Sequence, residues 1–434
     1  MNEQNSIPVS KVQRATKFMS TGAKIGVNYL KHHTQKVFNS NYDENTLHQE
    51  NAKDIYDALS NLKGSALKVA QMLSMDRNML PQAYNDKFMM SQYSAPPLSY
   101  PLVLSTFKQT LGKEPYKIFD TFSKNAANAA SIGQVHLATI NEKKYAVKIQ
   151  YPGVADSISS DLKMVKPIAI RMFNLKEAEI SQYLEEVEGK LIEETDYELE
   201  LKRGTEIATQ CAHIPNLFFP KYYPEFSSKK ILTMDWLEGQ HLKEFLNEEV
   251  SQEIRNQIGQ TLWDFYDFQI NQLQQVHADP HPGNFLLTKD GQVGVIDFGC
   301  IKVIPDAFYN SYFRLLKQEN VENLEKALPL FYELEFLNVN DTEKEKEFFI
   351  PLFVKMTNLL AKPFHNEVFD FSDAHYFDEI YNLSTEIASM KEIKDARSAR
   401  GSKHGLYINR TYFGLYSILH DLGAKINITN SYKG

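Results

Sequence analysis

The apolar positions along this chain follow a helical period, then an alternating one, then a helical one again. Over residues 10–33, Val12, Ala15, Phe18, Met19, Ala23, Ile25 and Val27 stand among lysines, which reads as a basic amphipathic helix interrupted by Gly22 and Gly26. Such a segment suits an anionic membrane surface, but the plainer reading, preferred here, is a helix packed on the domain with its basic face in water. Residues 40–46 read as a linker. A second helical stretch, from about residue 50 to 92, spaces Leu62, Ala66, Val69, Ala70 and Leu73 one turn apart. Lys68 and Gln71 lie three apart within it, and by spacing alone they read as ordinary wet positions. After Pro96-Pro97 a short helix is predicted over residues 100–112, stopping at Gly112.

From Lys117 the pattern alternates. IFDTF, IGQVHLATI and KKYAVKIQY are three strand-like runs, the last two joined by a turn at Asn141, Glu142 and Lys143, which predicts an antiparallel sheet. The loop SKNAANAAS lies between the first two runs, where a kinase carries a glycine-rich loop over phosphates. In the third run Ala146 and Lys148 share one face and Tyr145, Val147 and Ile149 the other. A small residue beside the lysine leaves room for a flat base. Residues 177–203 predict one long acidic helix with Ile180, Leu184, Val187, Leu191 and Ile192 on its apolar side. Glu194, Asp196 and Glu200 in this stretch are each candidates to partner a lysine, and spacing does not choose among them.

The run KKILTMDWLEG, residues 229–239, reads as a buried strand with Met234 and Trp236 near its end, where a hinge would offer backbone groups to an adenine. Ile254, Ile258, Leu262, Phe265 and Phe268 then trace a helix leading to His277. Beyond Phe308 the chain reads as mostly helical, with polar interruptions at 338–342 and 397–404 and no chemistry visible from spacing.

The chemistry is concentrated in residues 276–299, VHADPHPGNFLLTKDGQVGVIDFG. His277, Asp279 and Asn284 stand in the spacing H-x-D-x-x-x-x-N, and Asp297-Phe298-Gly299 closes an apolar run. An MgATP site needs a carboxylate to orient the attacking group, an amide and a second carboxylate for Mg²⁺, and a lysine for the α/β-phosphates. Asp279, Asn284, Asp297 and Lys148 supply these types. A short loop followed by a hairpin through Asp290-Gly291 brings the first three together.

The 434 residues are 43% hydrophobic, enough for one large two-lobed core or two medium ones, and the net charge of −8 argues against a nucleic-acid partner. Cys211 and Cys300 lie far apart without a metal-type spacing and point to a reducing compartment. No apolar run is long enough for a membrane span, and no signal-peptide core is visible.

KVAQMLS, AASIGQVH, VKIQYPGV, ETDYELE, HADPHPGN and VIDFG, in that order, resemble the signature series of the UbiB (aarF-domain) family of atypical protein-kinase-like ATPases. SKVQRATKF near the start and INRTYFGLYSILHDLGA near the end fit the same family. The resemblance implies an α+β, bilobal protein-kinase-like fold, an antiparallel-sheet N-lobe at 113–236 and a helical C-lobe at 237–434. A helical N-terminal extension at 47–112 follows a basic segment and linker at 1–46. It implies that Lys68 and Gln71 belong to a K-x-G-Q motif, with Ala70 in the place of its glycine, that meets Glu194 and Asp196. Glu200 is implied to pair with Lys148. Ala129, Ala130 and Ser131 form the nucleotide loop, where Asn128 replaces the usual first alanine, and Ala146, Met234 and Trp236 line the nucleotide. The expected cofactors are ATP and Mg²⁺, the latter on Asn284 and Asp297, with Asp279 orienting a water or hydroxyl.

The function expected from this resemblance is MgATP hydrolysis or transfer in support of isoprenoid-quinone biosynthesis or lipid homeostasis. The expected partners are quinone-biosynthesis enzymes or lipid and quinone precursors, and the expected location is cytoplasmic, peripheral at the inner face of a membrane. A true protein or small-molecule kinase and a nucleotide-gated lipid-binding scaffold are the rival readings.

Overall fold

The computed structural model describes residues 13, 14, 16, 20, 49, 51–57, 59, 97–129, 132–173, 177–390, 392 and 400–428. The chain divides into two compact units, Met1–Lys202 with Lys221–Trp236, and Arg203–Pro220 with Leu237–Gly434.

The first unit is built on an antiparallel sheet. Helix α1 (Tyr100–Leu111) ends at Gly112, whose φ of 70° is the left-handed conformation that glycine adopts without strain. The strands are β1 (Thr121–Phe122), β2 (Asn128–Ala129), β3 (Gly133–Ile140), β4 (Lys143–Gln150) and β6 (Ile231–Asp235), ordered β1-β3-β4-β6 with β2 also on β3. β3 and β4 form a two-residue hairpin in which Asn141 and Glu142 both have positive φ, 49° and 67°. Tyr145, Val147 and Ile149 of β4 join Val103 and Phe107 of α1 in one apolar core. The alternate residues face the other way, and there Gln150 Nε2 donates to the Thr195 carbonyl at 2.8 Å. Gly133 sits so close to the chain beyond that a Cβ would lie 2.6 Å from Tyr197 Oη and 2.7 Å from the Ile149 carbonyl.

Two expectations are corrected in this unit. The SKNAANAAS stretch is not all loop, because Asn128 and Ala129 pair with Val135 and Gln134 as β2. The long acidic helix is broken in two. α2 (Val154–Phe173) is followed by α3 (Glu177–Glu194) and then by α4 (Tyr197–Gln210), whose opening residues belong to this unit. Asp196 makes the break: its Oδ1 accepts the Leu199 N–H at 3.1 Å and its carbonyl the Glu200 N–H, so it caps α4. Charge and helical period run on through this point, which hides the cap.

The second unit is mainly helical. It contains β5 (Leu217–Phe218), α5 (Leu242–Phe245), α6 (Gln252–Phe268), β7 (Gln275–His277), β8 (Phe285–Leu287), β9 (Val293–Val295) and β10 (Ile301–Val303). These are followed by α7 (Asp306–Leu315), α8 (Gln318–Val321), α9 (Leu324–Glu333) and α10 (Glu343–Ala361). The chain continues through β11 (Val368–Asp370), α11 (Ala374–Ser389), α12 (Lys403–Leu422) and β12 (Lys425–Asn427). Its centre is α6 against α12 and β12. Trp263 stacks on Tyr416 with centroids 6.4 Å apart, and a Cβ on Gly259 would meet the Ala424 Cβ at 2.6 Å. The helix predicted before His277 is α6, capped by Ser251, and it runs into a π-helical turn at Gln269–Leu273. The antiparallel pair β11–β12, three residues on each side, has no counterpart in the sequence reading.

Candidate active site

In the first unit, pleating points Lys148 away from the α1 core and toward α4. Its Nζ lies 2.8 Å and 3.0 Å from the two carboxylate oxygens of Glu200 and 5.1 Å from the centre of the Tyr197 ring. The Lys148 side chain is 13% exposed and that of Glu200 1%, so this is an ion pair largely shielded from solvent. Of the three acidic candidates, Glu200 is the one on Lys148. Glu194 is buried, and Asp196 is the cap already described. Ala146 lies opposite Met234 across the β4–β6 ladder, so a small side chain and a flexible apolar one share that stretch of sheet. The Trp236 N–H donates to the Lys144 carbonyl at 3.2 Å. Ala129 lies in β2, while Ala130, Ser131, Lys68 and Gln71 fall outside the described residues.

In the second unit the H-x-D-x-x-x-x-N stretch folds onto the carbonyl of Asp279. That oxygen accepts the His281 N–H at 2.7 Å and the Asn284 Nδ2 at 2.8 Å. With Nδ2 committed, Oδ1 is the Asn284 side-chain atom that could take a cation. The β8–β9 hairpin then places Ile296 against Asn284, the Ile296 N–H donating to the Asn284 carbonyl at 3.1 Å, so Asp297 follows directly beside Asn284. Gly291 closes the hairpin at φ 84°. Asp297 Oδ1 accepts the Gly299 N–H at 2.9 Å, which fixes the carboxylate over its own turn.

His277 ties the two motifs together. Its Nε2 lies 2.9 Å from the Asp297 carbonyl, and because a carbonyl only accepts, that nitrogen carries the proton. Its backbone N–H donates to Gln269 Oε1 at 3.0 Å, a contact that the π-helical turn sets up. Burial lowers the His277 pKa below its ordinary value, with the nearby Asp279 and Asp297 opposing, so the ring is a neutral, structural hydrogen-bond donor. Phe298 is fully buried against it in an edge-to-face contact at 5.9 Å.

One residue of this site carried no sequence expectation. Arg410 of α12 donates from Nη2 to Asp279 Oδ1 at 2.6 Å. The signal available was a lone cation in a strongly apolar helical stretch, INRTYFGLYSILH, more than a hundred residues after its partner.

The donors fit a hard divalent cation. Asn284 and Asp297 offer one amide and one carboxylate oxygen, which suits Mg²⁺ completed by water and phosphate oxygens. Among the described residues no group of three or more His, Cys, Asp or Glu side chains is placed to hold a metal by itself. No described helix is long and apolar enough to cross a membrane.

A lysine on a sheet paired with a buried glutamate, and an Asp–Asn–Asp set on a short loop and hairpin, define a kinase-like enzyme of the phosphotransferase class. Residues 90–328 match the ABC1 atypical kinase-like domain, more than half the chain, and the chain belongs to that family. It is 26% identical over 397 residues to the probable serine/threonine-protein kinase abkA of Dictyostelium discoideum, across 84% of this chain and 70% of that protein. It is 25% identical over 441 residues to the mitochondrial atypical kinase COQ8 of Saccharomyces cerevisiae, across 99% of this chain and 86% of that one. A chloroplastic aarF domain-containing protein kinase of Arabidopsis thaliana is 32% identical over 281 residues, 62% of this chain but only 39% of the plant protein. Among solved structures, the erythromycin complex of Rv3197 from Mycobacterium tuberculosis superposes with a TM-score of 0.59 at 25% identity, covering 88% of this chain and 95% of that one. The fold is therefore the α+β kinase-like fold, and the protein is an atypical kinase-type enzyme.

Proposed function

We propose that this protein is an MgATP-dependent atypical kinase-like ATPase that supports isoprenoid-quinone biosynthesis or lipid homeostasis at a membrane surface. The observation that carries the nucleotide part is the shielded Lys148–Glu200 pair, since an ammonium held by a buried carboxylate on a sheet is the group that steadies α/β-phosphates. In this reading Lys148 binds the phosphates. Asn284 and Asp297 hold Mg²⁺, which when bound neutralises phosphate charge, and Asp279 orients the attacking water or hydroxyl. Ala146 and Met234 receive the base. The quinone and membrane part rests on the family resemblance, with quinone-biosynthesis enzymes or lipid and quinone precursors as partners. The match to kinase-named relatives supports phosphotransfer itself.

The test is phosphate release from γ-labelled MgATP with and without anionic liposomes carrying a quinone-precursor-like phenol, together with flotation of the protein on the same vesicles. Turnover that rises with the vesicles, with label released as phosphate, is the expected result. Label fixed on a protein or small acceptor would instead make it a true kinase. Absence from the floated fraction would remove the membrane claim.

A further inference from the structure

We propose that Arg410 is the positioning residue for Asp279, delivered by α12, and that α12 sets the whole Asp279-Pro280 corner; this rests on the reading of Asp279 given above. Two contacts, one helical turn apart, carry it. Arg410 Nη2 donates to Asp279 Oδ1 at 2.6 Å, and the two side chains are only 20% and 19% exposed, so the pair is poorly screened by water. Four residues on, a Cβ at Gly414 would lie 2.4 Å from Cγ and 3.2 Å from Cβ of Pro280, so the helix reaches the loop only because this position has no side chain.

The helix that delivers these contacts is firmly seated. Ile408, Tyr412, Leu415, Tyr416 and Leu419 are buried, Thr411 Oγ1 donates to the Tyr407 carbonyl at 2.8 Å, and Tyr416 Oη donates to the Leu360 carbonyl at 3.1 Å. Hydrogen bonds to its carbonyl fix the Asp279 backbone, but they leave rotation about its side-chain bonds. A guanidinium from a rigid helix restrains that rotation, and it stays charged throughout the accessible pH range. A carboxylate that orients an attacking oxygen loses rate steeply when displaced, so the arginine acts on turnover through Asp279 without touching the nucleotide.

The experiment is steady-state phosphate release from MgATP by the full chain and by Arg410→Gln, Arg410→Lys, Asp279→Asn and the Arg410→Gln/Asp279→Asn double variant. Thermal unfolding of each variant serves as the folding control. Arg410→Gln should lower kcat by about 100-fold with KM for ATP within about two-fold, the scale of a one-ångström misplacement. Added methylguanidine should restore part of that loss, and Arg410→Lys should fall between, because an ammonium keeps the charge without the planar fork. The double variant should be no slower than Asp279→Asn alone, since residues acting as one unit are not additive. An unchanged kcat in Arg410→Gln overturns the proposal. So does a loss that multiplies with that of Asp279→Asn and that methylguanidine does not relieve. Full turnover in Asp279→Asn instead overturns the reading of the site on which the proposal rests.

Discussion

Replacing Glu200 by Ala removes the carboxylate that holds Lys148, and the structure says how much this should cost. The glutamate is 1% exposed and the lysine 13%, with bonds of 2.8 and 3.0 Å to the two oxygens. Breaking a fully buried pair from one side costs about 3–5 kcal/mol, because a charge is left without compensation. Water still reaches the Lys148 side, so about 3 kcal/mol is expected, which corresponds to a fall in Tm of roughly 6–12 °C for a unit of this size. Removing both charges is a different perturbation. A Lys148→Met/Glu200→Leu protein leaves no orphan charge and should recover most of the lost stability, as apolar replacements of buried pairs generally do. Under the proposed function it should not recover turnover, because the ammonium proposed to steady the phosphates is gone. The assay pairs urea unfolding with phosphate release for the wild type and the two variants. A Glu200→Ala protein within about 1 kcal/mol of wild type, the range of an exposed pair, would refute the energetic argument, and a double variant that turns over ATP would refute the role of Lys148.

Other perturbations test the frame around the site. Arg14 makes a two-pronged ion pair with Asp161, 2.7 and 2.5 Å, at 4% and 0% exposure, so Arg14→Ala should cost about 3–5 kcal/mol in urea unfolding; a loss under about 1 kcal/mol would mean the contact does not hold in solution. Glu142 sits at φ 67° in the β3–β4 turn, and Glu142→Gly should raise stability by about 0.5–1 kcal/mol by relieving that backbone, whereas a drop in Tm would contradict the turn geometry. His136 donates from Nδ1 to the Ser123 carbonyl and accepts from Gln134 Nε2, and burial pushes its pKa below the ordinary 6.5. The unfolded chain therefore takes the proton first, so the contribution is whole above about pH 6.5 and declines as pH falls below it. Urea midpoints at about pH 7.5 and 5.5 should differ less in His136→Gln than in wild type, and equal differences would clear His136 of this role.

Much of the frame was readable because it depends on local pattern. The alternation in KKYAVKIQY put Lys148 opposite the core face of β4, and Gly112 and the Asp290-Gly291 turn ended their elements where such residues do. What escaped depends on contacts distant in sequence or on a backbone competition that the period does not show. Asp196 looks like one more charge in an acidic helix until its carboxylate is seen capping α4. β2 is two residues long and exists because β3 offers it a ladder, and β11 and β12 meet only after α11 and α12 have brought their ends together. Within the site, Asp279, Asn284 and Asp297 were legible from one contiguous stretch, whereas Arg410 reaches Asp279 across 131 positions of sequence.

In the proposed MgATP reaction, Asp279 orients the attacking group. The most direct measurement compares phosphate release and nucleotide affinity in wild type and Asp279→Asn under the same conditions. Asp279→Asn should lose about 10²- to 10⁴-fold in turnover, the scale of a positioned acid–base group, with MgATP affinity preserved. Turnover retained in Asp279→Asn, or MgATP that fails to bind the wild type at all, would contradict the proposal.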